Sequence, residues 1–170
     1  MRRAFACLCA ALLLSACSGE DDPSPRASSS PLRTEAAVVA TEKPKVPKPT
    51  GAPPTDLVQD DITKGTGAAV VPGQVVTVHY VLVTFDDGKE VETSWGTNPI
   101  TFTLGDGEVI EGWDKGLLGM RVGGRRRLVI PPRLAYGEGP PGPGNELAGE
   151  TLVFVVDVIS TGGAPANMGG

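Results

Sequence analysis

His79 is the only histidine in the 170-residue sequence, so a histidine-based metal site or a His-dependent nucleophilic triad has no second member to draw on. Its place beside Tyr80 in a β-branched run reads as a packed or hydrogen-bonded structural residue. Gly137-Glu138-Gly139-Pro140-Pro141-Gly142 matches G-x-G-x-x-G letter for letter. Two prolines lie inside it, however, and no helix or βαβ unit follows, so it is no dinucleotide loop. Gly105-Asp106-Gly107 carries one carboxylate and reads as a turn rather than a calcium loop. No serine sits in a nucleophile elbow and there is no P-loop. Any enzyme chemistry is therefore expected to run without metal, nucleotide cofactor or covalent intermediate. What remains is an apolar and aromatic set, Tyr80, Phe102, Val109, Ile110, Trp113, Tyr136 and Phe154. Composition alone reads that set as core.

The segments that must position these residues are unevenly distributed. Half of the 16 prolines lie between Ser18 and Thr55, a stretch with no aromatic residue, and all aromatics except Phe5 lie between Tyr80 and Phe154. This separates a disordered Pro/Ser-rich tether, residues 18–55, from one domain over residues 56–162 and a flexible tail over 163–170. A proline-rich tether favours extended polyproline II at about 3.1 Å per residue, a spacer of up to roughly 100 Å. The formal net charge of −5 is concentrated in the domain, which argues against nucleic acid as a partner. The lone basic run, Arg125-Arg126-Arg127, reads as a solvated edge or a paired face.

Within the domain, Val75 to Thr84 is too apolar for a one-face pattern and predicts a central strand covered on both sides. Asp86-Asp87-Gly88 signals a hairpin turn. Glu90 to Ser94, Ile100 to Leu104, Arg126 to Ile130 and Thr151 to Ser160 are further strand candidates. Ile110, Trp113 and Leu117 have helical spacing, but Gly112, Gly116 and Gly119 weaken that helix by about 1 kcal/mol each. It needs a sheet to pack against. The expected fold class is α+β, an antiparallel sheet wrapped on one short helix.

Residues 1–17 read as an export signal. Arg2 and Arg3 precede an apolar run from Ala4 to Leu14, too short to span a bilayer. Leu14-Ser15-Ala16-Cys17 resembles the bacterial lipobox, in which the cysteine receives a lipid before cleavage ahead of it. Cys7 and Cys9 would leave with the signal, so the mature chain has no disulfide framework. The resemblance implies a protein lipid-anchored through Cys17 on the extracytoplasmic face of a bacterial cell membrane. An ordinary signal cleaved near Ala16 is the alternative.

The domain itself resembles the FKBP-type peptidyl-prolyl cis-trans isomerases. The resemblance rests on pieces in one order: Val78-His79-Tyr80, Asp86-Asp87-Gly88-Lys89, Phe102-Thr103-Leu104-Gly105, Glu108-Val109-Ile110-Glu111-Gly112-Trp113, Gly116-Leu117-Leu118-Gly119-Met120, Val122-Gly123, Ile130-Pro131-Pro132, Ala135-Tyr136-Gly137 and Thr151-Leu152-Val153-Phe154. It implies an antiparallel β half-barrel around the Trp113 helix, with a hydrophobic pocket between them. Trp113 would be the pocket floor and Tyr80, Phe102, Val109 and Phe154 its walls. The Ile110 N–H and the Tyr136 hydroxyl would be donors to substrate carbonyls, and Glu92 the acid that holds Tyr80. Val91, Ile100 and Leu147 would contact substrate, although Val91 and Ile100 stand where the family commonly has Phe, Glu92 replaces its usual Asp, and Leu147 lies in a divergent loop. The implied partners are proline-containing exported polypeptides and macrolides of the rapamycin type. A binding module of the same fold with little turnover is the alternative.

Overall fold

The structure, a computed structural model, describes residues 41–163. The expected signal and Cys17, most of the tether and the tail from residue 164 lie outside the described residues. The chain forms strands β1 (Val58–Thr63), β2 (Val75–Thr84), β3 (Glu90–Thr93) and β4 (Ile100–Thr103), helix α1 (Glu111–Gly116), then β5 (Arg125–Ile130), a 3-10 turn (Pro132–Leu134) and β6 (Leu152–Gly162). All pairings are antiparallel, in the order β1-β5-β6-β2-β3, with β4 also on β2. β3 and β4 thus share one edge of β2, β4 along Val75–Val78 and β3 along Val81–Val83. This is the expected α+β half-barrel.

The two-sided burial predicted for β2 has a simple origin in strand alternation. Val76, Val78, Tyr80 and Leu82 join the main core with Trp113, Leu117, Leu128 and Phe154. Val81 and Val83, with Phe85, Val129 and Val153, form a second cluster on the outer face. α1 lies against β5 because its glycines permit it. A Cβ at Gly112 would stand 2.4 Å from Ile130 Cγ2, and one at Gly116 2.8 Å from Leu128. The glycines that weaken the helix locally are what let it seat.

The basic run is paired rather than solvated. Arg126, 9% exposed, donates to the Gly116 and Leu118 carbonyls at 2.7 and 3.3 Å and to Asp61 at 2.6 Å. It satisfies carbonyls that a helix end leaves without partners. Its hydrogen bond holds the Asp61 carboxyl below the ordinary value. Arg125 pairs with Asp157 and Arg127 with Asp60.

Two elements differ from expectation. β1, Val-Gln-Asp-Asp-Ile-Thr, is exposed along its whole length and carries no apolar alternation. It is held as an edge by its ladder to β5, with Asp60 opposite Arg127 and Asp61 opposite Arg126. The last part of the segment expected as a free tether is also placed on the domain. Pro44 is buried, Val46 packs on the outer cluster, Lys43 meets Glu90 at 2.6 Å and the Glu42 carbonyl accepts from Arg125 at 2.7 Å.

Candidate functional site

Four aromatic rings meet between the sheet and α1. Trp113 meets Tyr80 and Phe154 nearly perpendicular, at 5.4 Å and 80° and at 5.3 Å and 84° between centroids and planes, with Phe102 tilted at 5.6 Å. Such geometry lets the positive ring edges of some meet the negative faces of others. The result is a cavity of about 340 Å3 over the indole. β2 supplies Tyr80, β4 Ile100, β6 Phe154 and α1 Trp113 to its lining. Val109 and Ile110 come from the approach to α1, Tyr136 from the loop after the 3-10 turn, and Glu92 and Glu108 supply the carboxylates.

Tyr80 is pinned from behind. Its N–H donates to the Ser94 hydroxyl at 2.9 Å, and its carbonyl accepts from the Thr93 hydroxyl at 2.9 Å and the Ser94 N–H at 3.1 Å. Burial raises the Tyr80 phenol above its ordinary pKa, and hydrogen bonding to Glu92 raises it further. Burial also raises Tyr136, with the Glu92 charge adding to it. Both hydroxyls therefore keep their protons at neutral pH and can donate. Ile110, the residue before α1, has extended backbone, φ −63° and ψ 147°. Its carbonyl accepts from Trp113 and Asp114, while its N–H has no partner among the described residues.

Of the residues expected at the site, Tyr80, Glu92, Ile100, Val109, Ile110, Trp113, Tyr136 and Phe154 come together around this cavity. Phe102, 6% exposed, is not among the lining residues of the cavity; its ring meets the indole at 5.6 Å. Val91 and Leu147 stand elsewhere, bordering a separate depression with Asp86, Asp87, Glu146 and Glu150. For Val91 the reason is a bulge. The β2–β3 register steps from Leu82–Glu92 to Val83–Glu90, which leaves Val91 unpaired and 43% exposed. Leu147 packs on the margin of the core. Glu108 is a site residue that the sequence reading misses; its carboxylate accepts the Thr103 N–H at 2.7 Å and closes the loop between β4 and α1. The available signal is its position directly before Val109. His79 is structural, with Nδ1 2.9 Å from the Ser94 hydroxyl and its ring stacked on Trp95 at 4.7 Å. No group of three or more His, Cys, Asp or Glu among the described residues could hold a metal ion.

Comparison with known proteins gives concordant findings. Residues 67–159 match the profile of FKBP_C, the FKBP-type peptidyl-prolyl cis-trans isomerase family. An FK506-binding protein of Streptomyces anulatus is 50% identical over 123 residues, 72% of this chain and 99% of that protein. A probable FK506-binding protein of Corynebacterium glutamicum is 49% identical over 120 residues, covering 70% and 98% of the two chains. Among solved structures, that of AtFKBP13 superposes with a TM-score of 0.56 at 36% identity, covering 64% of this chain and 95% of that one.

Proposed function

This chain belongs to the FKBP-type peptidyl-prolyl cis-trans isomerase family and is an enzyme of that class; from that premise we propose that its aromatic cavity turns X–Pro bonds of exported polypeptides while a lipid on Cys17 holds it to the outer face of the cell membrane. The observation that carries the site is the ring-lined cavity with two donors beside it, the Ile110 N–H, unpartnered among the described residues, and the Tyr136 hydroxyl.

The reaction is opposed by amide resonance, which sets a rotation barrier of about 18–20 kcal/mol and places charge on the carbonyl oxygen. Water stabilises that planar, polar form. A substrate prolyl ring resting on Trp113 among Tyr80, Val109 and Phe154 leaves water behind, and the twisted amide loses less by the transfer than the planar one. Because only interactions stronger in the transition state accelerate the step, this difference lowers the barrier. Ile110 N–H and Tyr136 hydroxyl hold carbonyls on either side of the bond. Glu92 keeps Tyr80 oriented, and no proton changes hands. The same cavity suits macrolides of the rapamycin type.

Tyr136→Phe tests the donor. It is expected to keep the fold and to weaken binding of an X–Pro peptide by about 0.5–1.5 kcal/mol, the net value of one neutral hydrogen bond. NMR exchange spectroscopy on a short X–Pro peptide reads both arms, and unchanged affinity would remove Tyr136 from the mechanism.

The anchor has its own test. Cys17→Ser is expected to abolish lipid labelling and to move the protein from the membrane to the soluble fraction, since two or more acyl chains are what give stable attachment. Membrane retention of the serine variant would overturn the lipid anchor.

A further inference from the structure

β3 is four residues long, almost wholly exposed, and pairs with β2 at only three positions, with a bulge among them. Yet Glu92, which lines the cavity together with Tyr80, is carried on it. The C-terminal end of β3 is secured by Thr93 and Ser94, which grip the Tyr80 backbone. Its N-terminal end is secured by something else, the strap of residues 43–48. Lys43 Nζ lies 2.6 Å from Glu90 Oε1. Val46 packs on the outer cluster of Val81, Val83, Phe85, Val129 and Val153. Lys48 lies over Gly88, so closely that a Cβ there would stand 2.9 Å from Lys48 Cα and 2.8 Å from its Cβ. Pro44, Pro47 and Pro49 suit the strap to this role, because prolines restrict the unfolded chain and so reduce the entropy lost on docking.

We propose that residues 43–48 are a built-in ligand of the sheet's outer face, and that their docking fixes β3 and thereby Glu92 at the pocket on the opposite face. They are a positioning segment and touch no substrate. The proposal rests on the isomerase reading of the cavity.

Protease access reports docking directly. Trypsin does not cut before proline, so Lys43–Pro44 and Lys48–Pro49 resist it, and Lys45–Val46 is the one cleavable bond of the strap. Two variants of the full chain release the strap by different means. Gly88→Asn adds a Cβ beneath Lys48, and asparagine tolerates the Gly88 φ of +70°. Val46→Gly removes the strap's apolar contact from outside the core. Each is expected to speed cleavage at Lys45, followed by mass spectrometry, by about tenfold, since cleavage tracks the open population. Each should also lower kcat/KM for an X–Pro peptide by about threefold, and neither should lower it further in a Glu92→Gln background, as coupled residues are non-additive.

Parent cleavage at Lys45 as fast as in the variants would overturn docking. Faster cleavage with unchanged kcat/KM would overturn the positioning role, and an equal loss in the Glu92→Gln background would overturn the route through Glu92. A parent with protected Lys45 but no isomerase activity would overturn the proposed function, and the activity coupling with it, while leaving docking intact.

Discussion

Trp113→Leu is expected to leave the domain folded while lowering kcat/KM for X–Pro peptides by about tenfold or more, which corresponds to about 1.4 kcal/mol or more of transition-state stabilisation. The indole is 3% exposed, so it is as much core as floor, and truncation to alanine would cost about 3–5 kcal/mol of stability. Leucine keeps much of the apolar volume. It also removes the buried Trp113 Nε1, which has no hydrogen-bond partner among the described residues, and the desolvation of such a donor is worth about 1–3 kcal/mol. The fold therefore suffers less than the ring contacts suggest. What leucine cannot supply is the flat face under a prolyl ring and the nearly perpendicular contacts that hold Tyr80 and Phe154 at 5.4 and 5.3 Å. Thermal unfolding and peptide isomerisation measured on the same sample separate the two effects. A leucine variant that isomerises like the parent would take the indole out of the reaction.

Arg125→Met is expected to destabilise the domain by about 3 kcal/mol at neutral pH, the order found when one partner of a buried ion pair is removed. Arg125 and Asp157 form a two-bond pair, Nε to Oδ1 at 2.6 Å and Nη2 to Oδ2 at 3.0 Å. The Asp157 side chain is 2% exposed. Burial raises the Asp157 pKa above the ordinary carboxylate value, and Arg125 opposes that rise. A carboxyl whose folded pKa is raised binds protons more readily in the folded state. Its favourable contribution is present at acid pH and is lost as pH rises through the folded value. Without Arg125 the rise is larger, so the gap between variant and parent should widen from pH 4 to pH 7 and narrow again on acidification. Adding Asp157→Asn should recover most of the loss. Denaturant unfolding across that pH range decides the matter, and a pH-independent gap would show that Arg125 acts through something other than the Asp157 charge.

Legibility in the sequence follows what holds each element in place. β2 and β6 are dense in valine, and their extents read from sequence to within two residues because burial on both faces selects that composition. α1 reads through Ile110, Trp113 and Leu117 despite its glycines. β1 does not, because it lies flat on β5 through backbone bonds and through acids that meet arginines 65 or more residues away. The strap does not either. Lys-Pro-Lys-Val-Pro-Lys has the composition of a disordered chain, and burial of Pro44 and Val46 depends on an apolar outer face assembled from three strands. At the site, Tyr80, Trp113, Tyr136, Phe154 and Ile110 are legible through the family resemblance that their order along the chain carries. Phe102, Val91 and Leu147 show the limit of that reading, since membership of a lining depends on which side of a ring or bulge a residue falls.

β6 lies between β5 and β2 and pairs with β2 from Val75–Gly162 to Thr84–Leu152. The ribosome makes it after every strand it joins. Until then β2 and β5 lack the partner between them, and closing the sheet must bring together segments separated by most of the domain, a slow event by loop-closure entropy. The nascent chain therefore cannot complete its sheet until this last strand has emerged.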